Sequence, residues 1–282
     1  MNLKEKETEF DEELRNWAEK HKKERQEYWG EDWYNDEYWT YIDKEGKEKY
    51  YTEAEKSDYC FTPIIDGSMR AEEYENNKSA YRVLFVAKEP YDPDGDIGSY
   101  RDNSNYGNAP RFWEPAQRVA YGIFNNKEHY SETKINNYAD LTKTAYVNVQ
   151  KYRARSSTNS RYLRDWYLNK GCKELLDKQL EILNPNIIIC LYTCDIIWES
   201  IDAKYKMEQH NYKSLYYNIF AGKQRPNEEA VTSAYFTKEV LCVDCFHLSK
   251  PGLNQDVWGQ GILQAFLDWK EYLSAECYNG SN

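Results

Sequence analysis

Two short segments of this chain end in side chains that are suited to hydrolytic chemistry. The apolar run 83–87 is followed, after one residue, by Glu89 and Pro90, and the run 240–246 is followed by His247. A carboxylate can activate water or stabilise a developing cation, and a histidine can donate a hydrogen bond to an anionic leaving group. Both runs have the character of buried strands, and open α/β sheets bind ligands at the carboxyl ends of such strands. The sequence therefore predicts a hydrolytic site at one sheet edge.

Both residues also have an ordinary structural interpretation. Pro90 biases Glu89 away from helical geometry, so the strand must turn outward there, and an exposed loop glutamate would satisfy the same pattern. A single histidine is more often structural than catalytic, and His247 is one of 4 histidines in the chain. The catalytic assignment is a hypothesis that depends on the two residues meeting at one edge of the sheet.

Side chains suited to recognising a planar ligand lie beside the same predicted elements. Asn148 lies near the end of the strand predicted over 145–149, and its amide offers a donor and an acceptor to the edge of a base. The alternative is an amide that satisfies nearby backbone groups. Phe112 opens a predicted helix and can stack on a ligand or pack in the core, whereas Trp113 is expected to be a core residue.

A basic segment stands out because the chain as a whole carries a net charge of -11. It runs from Lys151 to Lys170 with Asp165 as its one acidic residue, and its Ser and Asn content suits phosphate contacts. The alternative is a solvated helix face. The residues predicted to contact phosphates lie in this segment and beside the candidate catalytic residues: Lys88, Lys151, Arg153, Arg155, Ser249 and Lys250.

The candidate residues need a scaffold, which the chain supplies from about residue 76 onward. Strands that alternate with helices predict an α/β fold in which a central, mostly parallel, four-stranded sheet is covered by helices on both faces. Residues 200–238 are polar and rich in tyrosine, and we expect an insertion there. The predicted strands lie at 83–87, 145–149, 187–191 and 240–246, and the predicted helices at 113–124, 172–183 and 257–272.

Residues 1–75 differ from the rest of the chain. Apolar side chains recur at helical spacing and predict a helix from about residue 4 to 28. An acidic, aromatic segment (27–41) follows, and residues 45–46 then indicate a turn between two short polar strands. The segment holds too few aliphatic residues for a core of its own. We therefore expect an extension that lays its rings on a catalytic domain formed by residues 76–282.

Composition favours a cytoplasmic protein. Apolar runs fall short of the roughly 18 residues that a membrane span needs. The N-terminal segment lacks the apolar core of a signal peptide. The 7 cysteines are odd in number and unevenly spaced, which predicts free thiols rather than a disulfide framework.

The cysteine positions do not predict a metal site. Cys242 and Cys245 lie in one predicted strand, where side chains three apart point to opposite faces and cannot easily share an ion. Cys190 and Cys194 flank the end of another strand, but neither a zinc nor an iron–sulfur site is expected from this pattern. We predict no metal and no cofactor.

The order of these motifs resembles that of the uracil-DNA glycosylase superfamily over roughly residues 80–270. A strand that ends in carboxylate-Pro-Tyr is followed by Asn-Ala-Pro-Arg-Phe-Trp, by strand-Asn-Val, by Asn-Pro-Asn-Ile-Ile-Ile and by strand-His-x-Ser. The resemblance implies a four-stranded parallel sheet between helices. It also implies an enzyme that flips a base out of DNA and hydrolyses the N-glycosidic bond without a cofactor.

The resemblance assigns roles to individual residues. Glu89 stands where classical members carry a water-activating aspartate, and Tyr91 would form the wall beside C5 of the base. Asn148 matches the base-reading asparagine, and Phe112 would lie near the base. His247 matches the histidine that stabilises the departing base anion.

The chain also departs from the superfamily pattern. Glu89 is one methylene longer than aspartate, Leu248 replaces the usual proline, and the cysteine pattern of the iron–sulfur branch is absent. These departures, together with the extra segments, indicate a pocket altered for a larger modified pyrimidine.

The predicted function is a monofunctional DNA glycosylase that acts as a monomer on double- or single-stranded DNA, with no membrane partner. Its expected substrate is a modified base, such as the glucosylated hydroxymethylcytosine of phage DNA, in bacterial defence. The alternatives are uracil removal in base-excision repair, a non-catalytic DNA- or protein-binding module on the same fold, and a hydrolase of free nucleotides or nucleosides.

Overall fold

The computed structural model describes residues 1–29, 40–42, 46–61, 63–88, 110–152, 160–207, 213–218, 231–248 and 253–279. The described strands are β1 (Thr40–Ile42), β2 (Glu48–Tyr50), β3 (Gly67–Ser68), β4 (Val83–Ala87), β5 (Ala145–Asn148), β6 (Ile187–Leu191), β7 (Lys213–Asn218), β8 (Val231–Phe236) and β9 (Leu241–Cys245). The described α-helices are α1 (Leu3–Lys20), α2 (Lys22–Trp29), α3 (Glu53–Phe61), α4 (Ala71–Glu75), α5 (Pro110–Phe124), α6 (Ser160–Asn169), α7 (Cys172–Leu183), α8 (Cys194–Tyr205) and α9 (Gln255–Asn279).

Seven of the described strands form one sheet, in the order β3-β5-β4-β6-β9-β8-β7. Its centre is parallel, because β4 pairs with β5 on one side and β6 on the other, and β6 pairs with β9. β3 adds an antiparallel strand at one edge, and β8 and β7 add two at the other. The predicted α/β class with a mostly parallel central sheet is confirmed. The predicted count of four strands is wrong for the whole sheet, since the four predicted strands make up its parallel centre alone.

The difference between centre and edge has a physical origin. Every residue of β4 and β6 is buried, as expected for strands that helices cover on both faces. β7 and β8 come instead from the polar, tyrosine-rich stretch 200–238, which sequence analysis interpreted as an insertion. Antiparallel edge strands need no continuous apolar run, so the criterion that found the central strands does not detect them.

Helices lie on both faces of the sheet. α5 and α9 pack on one face, against alternate residues of the central strands: Val83, Phe85, Ala87, Ile187, Ile189, Leu191, Leu241, Val243 and Cys245. α6, α7 and α8 pack on the other face, against the intervening residues: Leu84, Val86, Ile188, Cys190 and Cys242. The period-two alternation of a strand thus divides the core into two apolar clusters.

The N-terminal helix α1 is attached to the outside of α6 and α7. The indole of Trp17 packs edge-on against Trp166 with ring centroids 5.8 Å apart, and its Nε1 donates a hydrogen bond of 2.6 Å to the carbonyl of Lys170. The hydroxyl of Tyr152 donates to the carbonyl of Ala18 over 2.8 Å. Aromatic rings therefore anchor this helix, as the sequence predicts for the extension.

Residues 1–75 nevertheless do more than cover the main domain. Glu7 of α1 is buried and accepts hydrogen bonds of 2.7 Å from both the amide and the hydroxyl of Ser68. Ser68 belongs to β3, a strand of the main sheet, so residues on the N-terminal side of the predicted boundary at residue 75 take part in that sheet. The helix predicted from residue 4 to 28 is divided at His21 into α1 and α2. The two short strands are β1 and β2, which pair antiparallel, and residue 45 of the turn predicted between them lies outside the described residues.

Replacing Trp17 by alanine is expected to lower the free energy of unfolding by about 3–5 kcal/mol, because a buried indole and its hydrogen bond are lost. The matched control is Arg15→Ala, an exposed position on the same helix. Urea denaturation of both variants measures the difference. A loss of stability at Trp17 no larger than that at Arg15 would show that α1 is not part of the cooperative fold.

Candidate active site at the carboxyl edge of the sheet

The parallel strands deliver four candidate side chains to one edge. They are Lys88 after β4, Asn148 at the end of β5, Tyr192 after β6 and His247 beyond β9. The strand register sets these ends side by side, since Ala87 lies opposite Asn148 and Leu191 lies opposite Cys245. This is the edge at which open α/β sheets bind ligands.

Phe112, in the first turn of α5, bridges the two sides of this edge. Its ring centroid lies 5.7 Å from that of His247 and 5.8 Å from that of Tyr146 on β5. Trp113 packs edge-on against it at 4.6 Å and is buried, as predicted. Phe112 itself is half-buried, so part of its ring is open to a ligand. A ring in this place joins β5 to β9 across the ends of β4 and β6.

His247 is neutral at physiological pH. Burial lowers the pKa of its imidazole, and the nearby ammonium of Lys88 lowers it further, to about 4. A neutral imidazole carries one N–H donor and one acceptor nitrogen. His247 can therefore donate a hydrogen bond to a developing anion without first taking up a proton.

Tyr192 holds the ammonium of Lys88 at this edge. The Lys88 Nζ lies 4.3 Å from the centroid of the tyrosine ring, within the range of a cation–π interaction. Tyr192 has a φ of 61°, an uncommon left-handed conformation for a residue with a side chain. Its amide donates a hydrogen bond of 2.7 Å to the carbonyl of Cys245, and its ring stacks on Phe246 with centroids 6.2 Å apart. An unusual backbone conformation is thus fixed next to a candidate catalytic group.

A buried ion pair fixes Asn148. Asp66 accepts hydrogen bonds from the backbone amide of Asn148 at 2.6 Å and from its Nδ2 at 3.2 Å. The Lys151 Nζ lies 3.2 Å from both carboxylate oxygens of Asp66 and also donates to the Asn148 carbonyl. Gln179 of α7 donates to Asp66 and accepts from Lys151, each over 2.6 Å. All four side chains are buried, so these hydrogen bonds are made away from water.

The ion pair decides which end of the Asn148 amide is available. A carboxylate accepts hydrogen bonds and does not donate them, so the end of the amide that faces Asp66 must be Nδ2. The Oδ1 atom is consequently the unpaired end: it is buried and has no hydrogen-bond partner among the described residues. Leaving a buried acceptor unpaired costs about 1–3 kcal/mol. Such an atom can accept a hydrogen bond from a ligand once a neighbouring group moves, because Asn148 has no exposed surface in this structure.

The predicted phosphate contact at Lys151 is wrong. Its side chain has no exposed surface, and its charge is neutralised by Asp66. Lys151 therefore acts inside the protein, where it positions Asn148. The alternative interpretation of Asn148, an amide that satisfies nearby backbone, does not hold for its Nδ2, which contacts the Asp66 carboxylate.

The structure brings several predicted site residues together. Lys88, Phe112 and His247 interact at one end of the sheet, and Asn148 lies at the same edge beside β4. The remaining predicted site residues lie outside the described residues: Glu89, Tyr91, Arg153, Arg155, Ser249 and Lys250.

Sequence reasoning missed Asp66, Gln179 and Tyr192. Asp66 precedes a two-residue strand and lies 82 positions from Asn148, so no local pattern connects them. Tyr192 did carry a signal, because it directly follows the apolar run of β6 as Lys88 follows that of β4.

Comparisons with known proteins do not add to this picture. No protein-family model matches the chain, and no curated protein matches its sequence. Among the described helices, none is both long and apolar enough to cross a membrane. The interpretation of the site therefore depends on its geometry and electrostatics.

Breaking the buried ion pair is expected to be costly. Lys151→Met leaves the Asp66 carboxylate buried without its partner, and the free energy of unfolding should fall by about 3–5 kcal/mol. Lys173→Met is the matched control, because Lys173 forms a partly exposed pair with Asp177 at 2.8 Å, and its loss should cost at most about 1 kcal/mol.

Urea denaturation of Lys151→Met, Asp66→Asn and the double variant completes the test. The double variant should be less destabilised than the sum of the single variants, because neither partner is then left charged and alone. Strict additivity would show that the two side chains do not interact.

The protonation of His247 is directly measurable. Its folded pKa of about 4 lies below the unfolded value of 6.5, so its contribution to stability is complete above pH 6.5 and is lost as the pH falls toward 4. Nuclear magnetic resonance of the imidazole nitrogens should give a midpoint near 4, assigned through His247→Gln. In Lys88→Gln the midpoint should rise but stay below 6.5, because burial is the larger cause. A midpoint near 6.5 in the unmodified protein would contradict the desolvated placement of the ring.

Proposed function

We propose that the protein is a monofunctional DNA glycosylase, of the uracil-DNA glycosylase type, that hydrolyses the N-glycosidic bond of a pyrimidine in DNA. One observation carries this proposal: a neutral histidine, a partly buried aromatic ring and a fixed amide acceptor share one carboxyl edge of a parallel sheet. The three residues are His247, Phe112 and Asn148. The products would be a free base and an abasic site.

The architecture supports this assignment. The parallel strands have the spatial order β5-β4-β6-β9, with α5 and α9 on one face and α6, α7 and α8 on the other. A mostly parallel sheet between helices agrees with what the resemblance to the glycosylase superfamily implies, but here three antiparallel strands extend the sheet. The same fold can serve unrelated activities, so the site has to supply the functional argument.

His247 and Lys88 would stabilise the negative charge on the departing base. Cleavage of the glycosidic bond leaves a pair of electrons, and hence a negative charge, on the departing base. A hydrogen bond donated by the neutral imidazole, together with the positive charge of Lys88, stabilises that charge where water is largely excluded. Neither group needs to transfer a proton for the bond to break.

The flipped base is held by Phe112 and Asn148. Extruding a base from the duplex costs a few kcal/mol, and stacking on an aromatic ring returns about 1–3 kcal/mol per base. The Asn148 Oδ1 accepts a hydrogen bond from the base edge, which satisfies the one atom of this amide that lacks a partner among the described residues. Recognition thus requires a base with a donor on that edge.

Water activation and phosphate binding are assigned from the sequence. Glu89 directly follows Lys88 and would orient the attacking water, with Tyr91 beside the base. Phosphate contacts are assigned to Arg153 and Arg155. Ser249 and Lys250, which lie two and three residues after His247, would grip the phosphates next to the flipped nucleotide.

A modified cytosine is the preferred base. Its exocyclic amino group is a donor, which suits an asparagine whose own donor end is occupied by Asp66. A glucosylated hydroxymethylcytosine, as in phage DNA attacked during bacterial defence, is one such base. Uracil is the alternative, because its ring N–H is also a donor, and the enzyme would then act in base-excision repair.

An abasic-site assay tests the activity. The protein is incubated with DNA that carries uracil, hydroxymethylcytosine or glucosylated hydroxymethylcytosine, and the products are treated with alkali and separated on a denaturing gel. We expect cleavage at the glucosylated base, and a rate lower by about 10²–10³-fold in His247→Ala, because one donor to the leaving group is lost. His129→Ala, at an exposed histidine, is the matched control and should retain the full rate.

The outcomes separate the candidate functions. Cleavage of uracil DNA alone would identify the repair enzyme. Absence of cleavage on every substrate by folded protein, with DNA binding that survives Glu89→Gln and His247→Ala, would overturn the enzymatic proposal and identify a binding module.

A further inference from the structure

Three cysteines from different parts of the chain meet beneath the start of α8. Cys190 on β6 and Cys242 on β9 lie on neighbouring parallel strands, and Cys194 is the first residue of α8. The Sγ atoms of Cys190 and Cys242 are 3.6 Å apart and those of Cys194 and Cys242 are 3.7 Å apart, and all three lie within 4.8 Å of one another. All three residues are buried, and none forms a disulfide.

The spacing of these sulfur atoms matches that of thiolates around one ion. A Zn–S bond of about 2.3 Å with tetrahedral angles places neighbouring sulfur atoms about 3.8 Å apart. A disulfide would instead require about 2.05 Å. Two of the three sulfur–sulfur distances are therefore those of neighbouring corners of a zinc tetrahedron, and the third, between Cys190 and Cys194, is at most 4.8 Å.

Asp244 is a candidate for the fourth ligand, but its carboxylate oxygens do not lie within 4.8 Å of all three sulfur atoms, so its side chain has to rotate toward them to reach a shared ion. It lies two residues beyond Cys242, on the same face of β9, and is opposite Cys190 in the strand register. Its carboxylate accepts the backbone N–H of Cys194. Its Oδ1 is buried and has no hydrogen-bond partner among the described residues. A buried carboxylate oxygen next to Cys194 is suited to a cation, because a cation offsets the cost of burying its charge.

We propose that Cys190, Cys194 and Cys242 bind a single zinc ion, and that Asp244 completes the site by turning its carboxylate toward the ion. Thiolates select soft or borderline ions such as zinc over magnesium or calcium, and three sulfur atoms with one carboxylate oxygen complete the closed tetrahedral set of a structural site. The ion would join β6, β9 and the first turn of α8. This inference does not rest on the proposed glycosylase activity.

The proposed zinc site would stabilise the strands that carry the candidate active site. Cys194 lies two residues after Tyr192, and Asp244 lies three residues before His247. Zinc at these positions fixes β6 and β9 relative to each other from the face opposite to Phe112. Its role is to hold the edge in place, and it takes no part in bond cleavage.

Metal analysis of the purified protein is the first test. Tag-free protein, prepared under reducing conditions and without chelators, should contain one zinc ion per chain by inductively coupled plasma mass spectrometry. Cys190→Ser and Cys242→Ser should lose the zinc. Cys245→Ser, on the opposite face of β9, and Cys172→Ser, in α7, are matched buried controls that should retain it. Protein without stoichiometric zinc, or zinc retained by Cys190→Ser and Cys242→Ser, would overturn the proposal.

A spectroscopic test on the unmodified chain covers the case in which the serine variants do not fold. Zinc is exchanged for Co²⁺, which should give a thiolate-to-cobalt charge-transfer band and the intense visible bands of a tetrahedral site. Asp244→Asn should keep the charge-transfer band and shift the visible bands, because one oxygen ligand changes and the three sulfur ligands stay. Weak visible bands of octahedral cobalt without charge transfer would show that the thiols do not bind the ion.

Discussion

The ion pair between Asp66 and Lys151 is the constraint on which the rest of the site depends. Two charges removed from water are tolerated when hydrogen bonds complete their surroundings, and here Asn148 and Gln179 complete them. A pair of neutral, well-packed residues can be equally stable at such a position. Neutral residues would not, however, force one end of an amide to face inward. The ion pair therefore fixes the orientation of the Asn148 side-chain amide, with Nδ2 toward Asp66.

Electrostatics also determine the properties of Lys88 and His247, on the other side of this sheet edge. Lys88 lowers the pKa of His247 because a positive charge opposes the arrival of a proton. The same charge attracts an anion that forms beside the imidazole. Burial strengthens both effects, since the interaction is less screened than in water. A histidine that is hard to protonate and a site that favours an anionic leaving group are thus two consequences of one arrangement.

Elements that are determined by local sequence could be predicted, whereas contacts that depend on the tertiary fold could not. The strands 83–87 and 187–191 and the helix 172–183 were predicted to the residue, because apolar runs and the Asn-Pro pair that follows the helix determine them locally. The hydrogen-bond partners of Asp66 lie 82 to 113 positions away in the chain, and the tertiary fold decides those contacts. The position of Tyr192 was visible in the sequence, but its role depends on where Lys88 lies across the sheet.

The cysteine cluster is a second example of contacts that local sequence does not determine. Alternation correctly places Cys242 and Cys245 on opposite faces of β9, and that reasoning excluded a metal shared by those two residues. Alternation within β9 carries no information about the neighbouring strand β6, which brings the Sγ of Cys190 to 3.6 Å from the Sγ of Cys242. Pairs within one strand are set by the period of two, whereas pairs between strands are set by register, which a single strand's sequence does not contain.

Strand β9 contributes residues to both the proposed zinc site and the candidate active site. Its alternation turns Cys242 and Asp244 toward α8, while Cys245 and, beyond the strand, His247 lie on the side of α5. A slip of one residue would exchange these faces and remove the histidine from Phe112. An ion that joins Cys242 to Cys190 would forbid that slip. The register that assembles the metal ligands on one face is therefore the register that presents His247 on the other, and the two sites cannot be formed independently.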